Sequence, residues 1–353
     1  MHLTRQNNMG RMQAMPVSER APSRPGRTRR QLFTAAAAGQ QVGPLVHVSR
    51  RAMACQFEIS VPAGIPAAVG ACARALDEVD RIESQLTVFR DDSEVSQLNR
   101  GAADGDISVS PGLHALLALC SRLHLETDGA FDPTSGPLTR CWGFFRRAGA
   151  VPSQDRLSEA RQAVGFSHVR VDPDARRVGF TRHGVELNFG SIGKGYALDV
   201  AARTLRRSGV SAALLSGGSS SVLAIGGPYG RRWPVGLRDP HARDRRWAIL
   251  QLRNASLATS GAGEQFFESN GRRYGHILDP RTGQPAEGRL ATTVVTSRAA
   301  EADALATAFF VGGQTLARSY CDTHENVLVL MHEEGTPDPI IMGSHGGCRV
   351  QVC

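Results

Sequence analysis

Between Val185 and Gly209 the chain reads as an apolar strand (VELNF), a turn with three glycines (GSIGKG) and an amphipathic helix (GYALDVAARTLRRSG). A strand that turns into a helix in this way aims backbone N–H groups out of the helix N-terminus, which suits an anion. Lys194 sits inside the turn. It is the single lysine of the chain, since the other 40 of the 41 basic residues are arginine. An ammonium is a compact point charge on a flexible stem, whereas a guanidinium is a planar fork. The turn is not a P-loop: Asn188 stands where that motif needs its first glycine, and Gly195 where it needs a hydroxyl. Taken by itself, the segment also fits a solvated lysine at a glycine-rich helix start.

The rest of the chain interleaves both periodicities. CQFEISV alternates apolar and polar residues as a strand does, while Pro66–Leu86 and Pro111–Gly129 carry helical spacing. SEARQAVG reads as a short helix. AALLS, SVLAI, WAILQL and ATTVVTS read as strands, Ala299–Gly313 as a helix, and NVLVLM and PIIMG as closing strands. Several strands follow one another directly, as hairpins do. The expected class is therefore α+β (mixed α/β), one compact two-lobed domain with mixed sheets and flanking helices over residues 46–350.

Charge separates a leader from this body. Residues 1–51 hold nine arginines against one acid, Glu19, and so carry the whole net charge of +8; residues 52–353 hold 32 basic and 32 acidic residues. A basic groove for nucleic acid on the body is not expected on that balance. Residues 1–45, rich in Pro, Gln, Ser and Gly, are expected to be a disordered leader. Thr28–Gly39 (TRRQLFTAAAAG) resembles a twin-arginine export signal, but its apolar stretch is short. The compartment stays open between the cytoplasm and export. No run of eighteen apolar residues exists, so no membrane-spanning helix is expected. Seven cysteines without a C-x-x-C spacing indicate neither a zinc site nor a disulfide framework.

Three more stretches carry residue types fit for chemistry. Thr127–Phe144 (TDGAFDPTSGPLTRCWGF) packs Asp, Thr and Gly turns beside aromatic residues, which suits a flat ring with polar edges. Tyr274–Pro285 (YGHILDPRTGQP) sets His276 before an Asp-Pro turn, within reach of a general-base role. Asp303 and Thr307 lie four residues apart on an Ala-rich helix and share a face, where a carboxylate and a hydroxyl are hard ligands for Mg²⁺. Each stretch alone also fits a bland role: a structural turn, a solvated histidine, or helix neighbours.

In order, FDPTSGPL…WGF, GSIGKGYALD, LATSG, HILDPRTGQP and ADALATA resemble the ApbE-type flavin transferase family, from about Met53 to Gly313. The resemblance implies a Mg²⁺-dependent FAD:protein FMN transferase. A Thr or Ser hydroxyl of an acceptor protein attacks the FMN phosphorus and AMP leaves. It implies metal ligands at Asp303, Thr307 and the backbone oxygen of Ser191. Flavin and adenine contacts fall on Met53, Phe89, Ala130, Phe131, Asp132, Asn188, Lys194 and Ile277. His276 is implied as the base, with Asp303 assisting.

Several positions depart from the family pattern. Met-Gly-Thr is Met53-Ala54-Cys55, a flavin-side Tyr is Phe89, an acid is Asn188, and the Asn-x-Gly-Gly loop is Ser216–Ser219. No lipobox precedes Cys55. Two other readings use the same residues: an FAD pyrophosphatase, with water as the acceptor, and a flavin-binding protein without catalysis.

Overall fold

The computed structural model describes residues 43–353 apart from 66, 243 and 264. Residues 1–42 of the expected leader, with the twin-arginine-like stretch, lie outside the described residues. In chain order a hairpin of β1 (Leu45–Ala52) and β2 (Cys55–Pro62) leads into helices α1 (Ala68–Leu86) and α2 (Glu94–Gly101). Then come β3 (Ile107–Ser108), helices α3 (Pro111–Glu126), α4 (Gly136–Cys141) and α5 (Gln154–Gln162), and strands β4 (Val169–Val171) and β5 (Arg177–Phe180). Helix α6 (Gly193–Arg207) is followed by β6 (Ala213–Gly217), β7 (Ser221–Ile225), β8 (Trp233–Arg238), β9 (Arg246–Leu252) and β10 (Ala255–Gly261). A short ribbon, β11 (Phe266–Ser269) and β12 (Arg272–Gly275), precedes β13 (Arg289–Thr296). Helix α7 (Ala299–Thr323) and strands β14 (Val327–Glu333), β15 (Ile340–Ser344) and β16 (Cys348–Val352) close the chain.

Eight strands form the main sheet in the order β1-β2-β6-β7-β10-β13-β14-β15, each pair antiparallel. Successive side chains in a strand point to opposite faces, so the central strands feed two cores. On β7, β13 and β14, Leu223, Val294 and Val329 join one core with α1, α3, α6 and α7. Their sequence neighbours Val222, Val295 and Leu328 join the other, which the three-stranded sheet β16-β9-β8 closes with Trp233, Val235 and Leu250. The near-continuous apolar runs SVLAI and NVLVLM follow from burial on both faces. The expected mixed α/β class holds, and every strand pair among the described residues is antiparallel.

The segment VELNF is not a strand. Its single bridge joins Glu186 to Ser135. The backbone of Leu187 is instead held by one side chain: Asn99 Oδ1 accepts from its N–H at 2.8 Å, and Asn99 Nδ2 donates to its carbonyl at 3.0 Å. Helix α7 runs past the expected end, but it breaks at Gly313, whose φ of 73° is left-handed. The Arg289 guanidinium donates to the carbonyls of Phe310 and Val311 beside the break.

The N-termini of α6 and α7 cap each other. Neither has a side-chain cap from its own N-cap residue. Asp199 of α6 accepts from the N–H groups of Ala299 and Ala300, at 2.9 and 3.0 Å. Asp303 of α7 accepts from the N–H of Gly195 at 3.0 Å. Each helix thus satisfies its partner's orphan donors with an aspartate four residues beyond the capped position. The contact is so close that a Cβ on Gly195 would stand 2.0 Å from the Ala299 carbonyl oxygen. A second strained feature is the two-residue turn between β1 and β2. Met53 and Ala54 hold φ of 49° and 57°, the conformation of a type I′ turn that favours glycine or asparagine. The Met53 N–H donates to Glu83 of α1 at 2.7 Å and fixes this turn against the helix.

Two stability outcomes follow. Gly195→Ala is expected to lower stability by about 1–3 kcal/mol or more, because backbone rather than a side-chain tip must give way. Ala54→Gly is expected to raise it by about 1 kcal/mol by relieving left-handed strain. Denaturant midpoints measure both, and a neutral Gly195→Ala would contradict the close helix contact.

Candidate active site

A cavity of about 470 Å³ lies where the glycine-rich start of α6, the start of α7, the β1–β2 turn and the end of β10 meet. That volume falls within the range of small-molecule sites. Its wall gathers Met53, Ala130, Phe131, Asp132, Asn188, Ser191, Lys194, His276, Ile277, Asp303 and Thr307, residues drawn from five separate stretches of sequence. Phe89 is the expected contact that is not brought to this wall. It is 71% exposed and stacks on Phe145, ring centroids 4.6 Å apart, while Phe145 lies over the Arg140 guanidinium.

At the centre, Asp303 is buried and bonded on both oxygens. Oδ2 takes the Gly195 N–H, and Oδ1 accepts from Ser221 Oγ at 2.9 Å. Lys194 Nζ lies 3.6 Å from Oδ1, an ion pair too long for a hydrogen bond. The ammonium is therefore drawn to the carboxylate yet keeps its donors for another anion. One turn along α7, Thr307 Oγ1 meets Ser260 Oγ at 3.0 Å. The donors clustered here are a carboxylate and hydroxyls, a hard all-oxygen set. Among the described residues no three His, Cys, Asp or Glu side chains cluster as a metal site. This set thus suits a cation such as Mg²⁺ that completes its shell with substrate oxygens and water, and it does not suit a soft metal.

Other side chains shape the wall. Asp132 is buried, and its carboxylate is committed to its own loop: Oδ1 accepts from the Thr134 N–H at 2.8 Å and hydroxyl at 2.6 Å, and Oδ2 from the Phe166 N–H at 3.1 Å. His124 Nδ1 stands 3.3 Å from Oδ2. Burial disfavours charge on that imidazole, but the hydrogen bond and charge of Asp132 outweigh it and raise the His124 pKa. The Asp132 side chain thus builds the loop that presents Ala130 and Phe131. Asn188 Oδ1 accepts from the Gly190 N–H at 2.9 Å and folds the turn ahead of α6. His276 Nδ1 lies 3.0 Å from the Gln265 carbonyl oxygen. A carbonyl only accepts, so Nδ1 carries the proton and a neutral ring has its lone pair on Nε2. Cys55 also lines the cavity; burial pushes its thiol pKa up, although Lys194 opposes this, so it stays neutral. All seven cysteines are free thiols.

Sequence reasoning missed Asp199, Ser221 and Ser260 as parts of this arrangement. Ser221 opens the SVLAI strand and Ser260 falls in LATSG, so both were inside noted stretches without a stated role. Nothing local marks Asp199 as the cap of a helix a hundred residues away.

Comparison with known proteins bears on the family. The sequence signature described as the ApbE family matches residues 53–331. The FAD:protein FMN transferase of Treponema pallidum (strain Nichols) is 34% identical over 259 residues, covering 68% of this chain and 71% of that protein. The solved ApbE protein of Thermotoga maritima superposes with a TM-score of 0.76 at 30% identity, covering 85% of this chain and 97% of that one. The flavinyl transferase ApbE of Pseudomonas stutzeri, in its apo form, gives 0.74 at 28% identity, over 85% and 95% of the two chains. Matched over most of its length in sequence and in fold, the chain belongs to the ApbE family.

Proposed function

We propose that this chain is a Mg²⁺-dependent FAD:protein FMN transferase, which moves FMN from FAD to a Thr or Ser hydroxyl of an acceptor protein and releases AMP. The observation that carries the reading is the meeting of Lys194 and Asp303 at the joined N-termini of α6 and α7, on the wall of one cavity. One ammonium on the cavity wall suits a diphosphate. The apolar surfaces of Met53, Phe131 and Ile277 suit the flat rings on either side of it.

In this reading the FAD diphosphate lies against Lys194. The acceptor oxygen attacks the FMN phosphorus, its proton passes to His276 Nε2, and the P–O bond to AMP breaks. The new bond is a phosphoester to FMN. Asp303, Thr307 and the carbonyl of Ser191 would hold Mg²⁺. When bound, that ion neutralises charge on the diphosphate oxygens. Gln265 orients His276 through Nδ1, and Ser221 and Gly195 hold the Asp303 carboxylate in place. The work is positioning and charge neutralisation, as phosphoryl-type transfer requires.

Four variants test these assignments in a mass-spectrometric assay of FMN addition to a co-expressed acceptor. Asp303→Ala is expected to lower transfer by at least about 10²-fold; parental turnover in Mg²⁺ would remove Asp303 as a ligand. His276→Ala is expected to slow transfer by about 10²–10⁴-fold with FAD affinity retained; unchanged turnover would remove it as the base. Lys194→Arg is expected to be nearly as harmful as Lys194→Ala, because a planar fork does not fit the turn. A fully active Lys194→Arg would contradict that. Release of AMP and free FMN without acceptor labelling would favour a pyrophosphatase.

A further inference from the structure

Beside the first cavity opens a narrower one of about 170 Å³, between β8 and β9 on one side and the ends of β10, β13 and β14 on the other. The two share Ser219, Thr259 and Gly261, so they meet across the end of β10. At the back of the small cavity is His332. It continues the series Leu328 and Leu330 on the face of β14 that packs against the three-stranded sheet. It is 4% exposed, and neither ring nitrogen has a hydrogen-bond partner. Its ring stands edge-on to Trp247, centroids 4.7 Å apart. Burial is the main cause that lowers its pKa; nearby His241 adds to the effect and Asp239 opposes it. A neutral imidazole offers one donor and one acceptor. Leaving both unmet in a folded interior is destabilising. Both nitrogens are closed off as the ring stands, so an occupant of the cavity supplies their partners where the ring turns toward it.

We propose that this cavity is the acceptor subsite: it receives a residue beside the hydroxyl-bearing one of an extended acceptor polypeptide, and His332 hydrogen-bonds that polypeptide's amide groups. The inference rests on the transferase reading above. Size argues against the dinucleotide, because 170 Å³ lies below the roughly 300–1,000 Å³ of small-molecule sites and suits one or two side chains. Main chain carries a donor and an acceptor at nearly every residue, which is what His332 lacks. The sheet also offers an edge. β7 pairs with β10 only as far as Ala258, and the Thr259 N–H donates to Ser220 just beyond. Ser260 and Gly261 continue with β13 as their one neighbouring strand, and Gly261 borders both cavities. An extended segment that follows such an edge can place alternate side chains in successive pockets.

Two substitutions test this. His332→Phe keeps the ring and removes both nitrogens. Ala291 is the register partner of both Gly261 and His332, so Ala291→Phe places a ring on their face and fills the cavity. The probe is a pool of peptides, each with one threonine flanked by randomised positions, labelled with FAD and Mg²⁺ and read by FMN fluorescence. The parent is expected to select residues at a position flanking the threonine. Both variants are expected to lose that selection and to label the preferred peptides about ten-fold more slowly. FAD affinity should stay within about two-fold of the parent. Unchanged peptide selection in the variants would overturn the proposal. So would a matching loss of FAD affinity, which would give the cavity to the dinucleotide, or a parent that releases AMP but labels no peptide. A parent that releases no AMP from FAD overturns the transferase reading itself, and that result needs no variant to be seen.

Discussion

Two helices a hundred residues apart in sequence complete each other's ends. Asp199 closes the start of α7 and Asp303 closes the start of α6. The arrangement has a steric condition, which Gly195 meets by having no side chain where the Ala299 carbonyl passes. It also concentrates two partial positive charges in one place, because both helix dipoles point their N-termini there. Asp199 is spent on α7 alone; burial pushes its pKa up, and the two N–H groups it accepts work against that shift. Asp303 does more, since its second oxygen faces Ser221 and Lys194 at the cavity. One carboxylate therefore joins the two helix starts and faces the cavity.

Under the proposed function, that arrangement accounts for a lysine rather than an arginine at position 194. It stands between Gly193 and Gly195 in the first turn of a helix whose next residue already touches another backbone. An ammonium on a flexible stem can lie 3.6 Å from Asp303 and still turn its protons to a ligand. A guanidinium would pair with that carboxylate face to face and take up the space of the ligand.

The parts of this design differ in how legible they are from sequence. Strand and helix periodicity exposed most of the sheet and the long helices, because burial on one or both faces writes a repeating pattern into the chain. The Asp303–Thr307 pair was visible for the same reason: spacing on a helix fixes which side chains share a face. VELNF misled because its backbone is satisfied by Asn99, a partner that no local pattern announces. Asp132 stands on the cavity wall, and its carboxylate also ties in Thr134 and Phe166, contacts that no local pattern announces. Asp199, Ser221 and His332 act through contacts between distant segments. Their meaning appears only when the segments meet, and for His332 only when its lack of a partner is seen.

The account stands on one claim, that the joined starts of α6 and α7 hold a diphosphate and its cation together. The direct measurement is an anomalous-scattering map from crystals soaked with FAD and Mn²⁺ in place of Mg²⁺. The account predicts one strong peak within bonding distance of the Asp303 carboxylate and the Thr307 hydroxyl, with the diphosphate between that peak and Lys194. A manganese peak elsewhere, or a diphosphate that leaves Lys194 facing solvent, would contradict it.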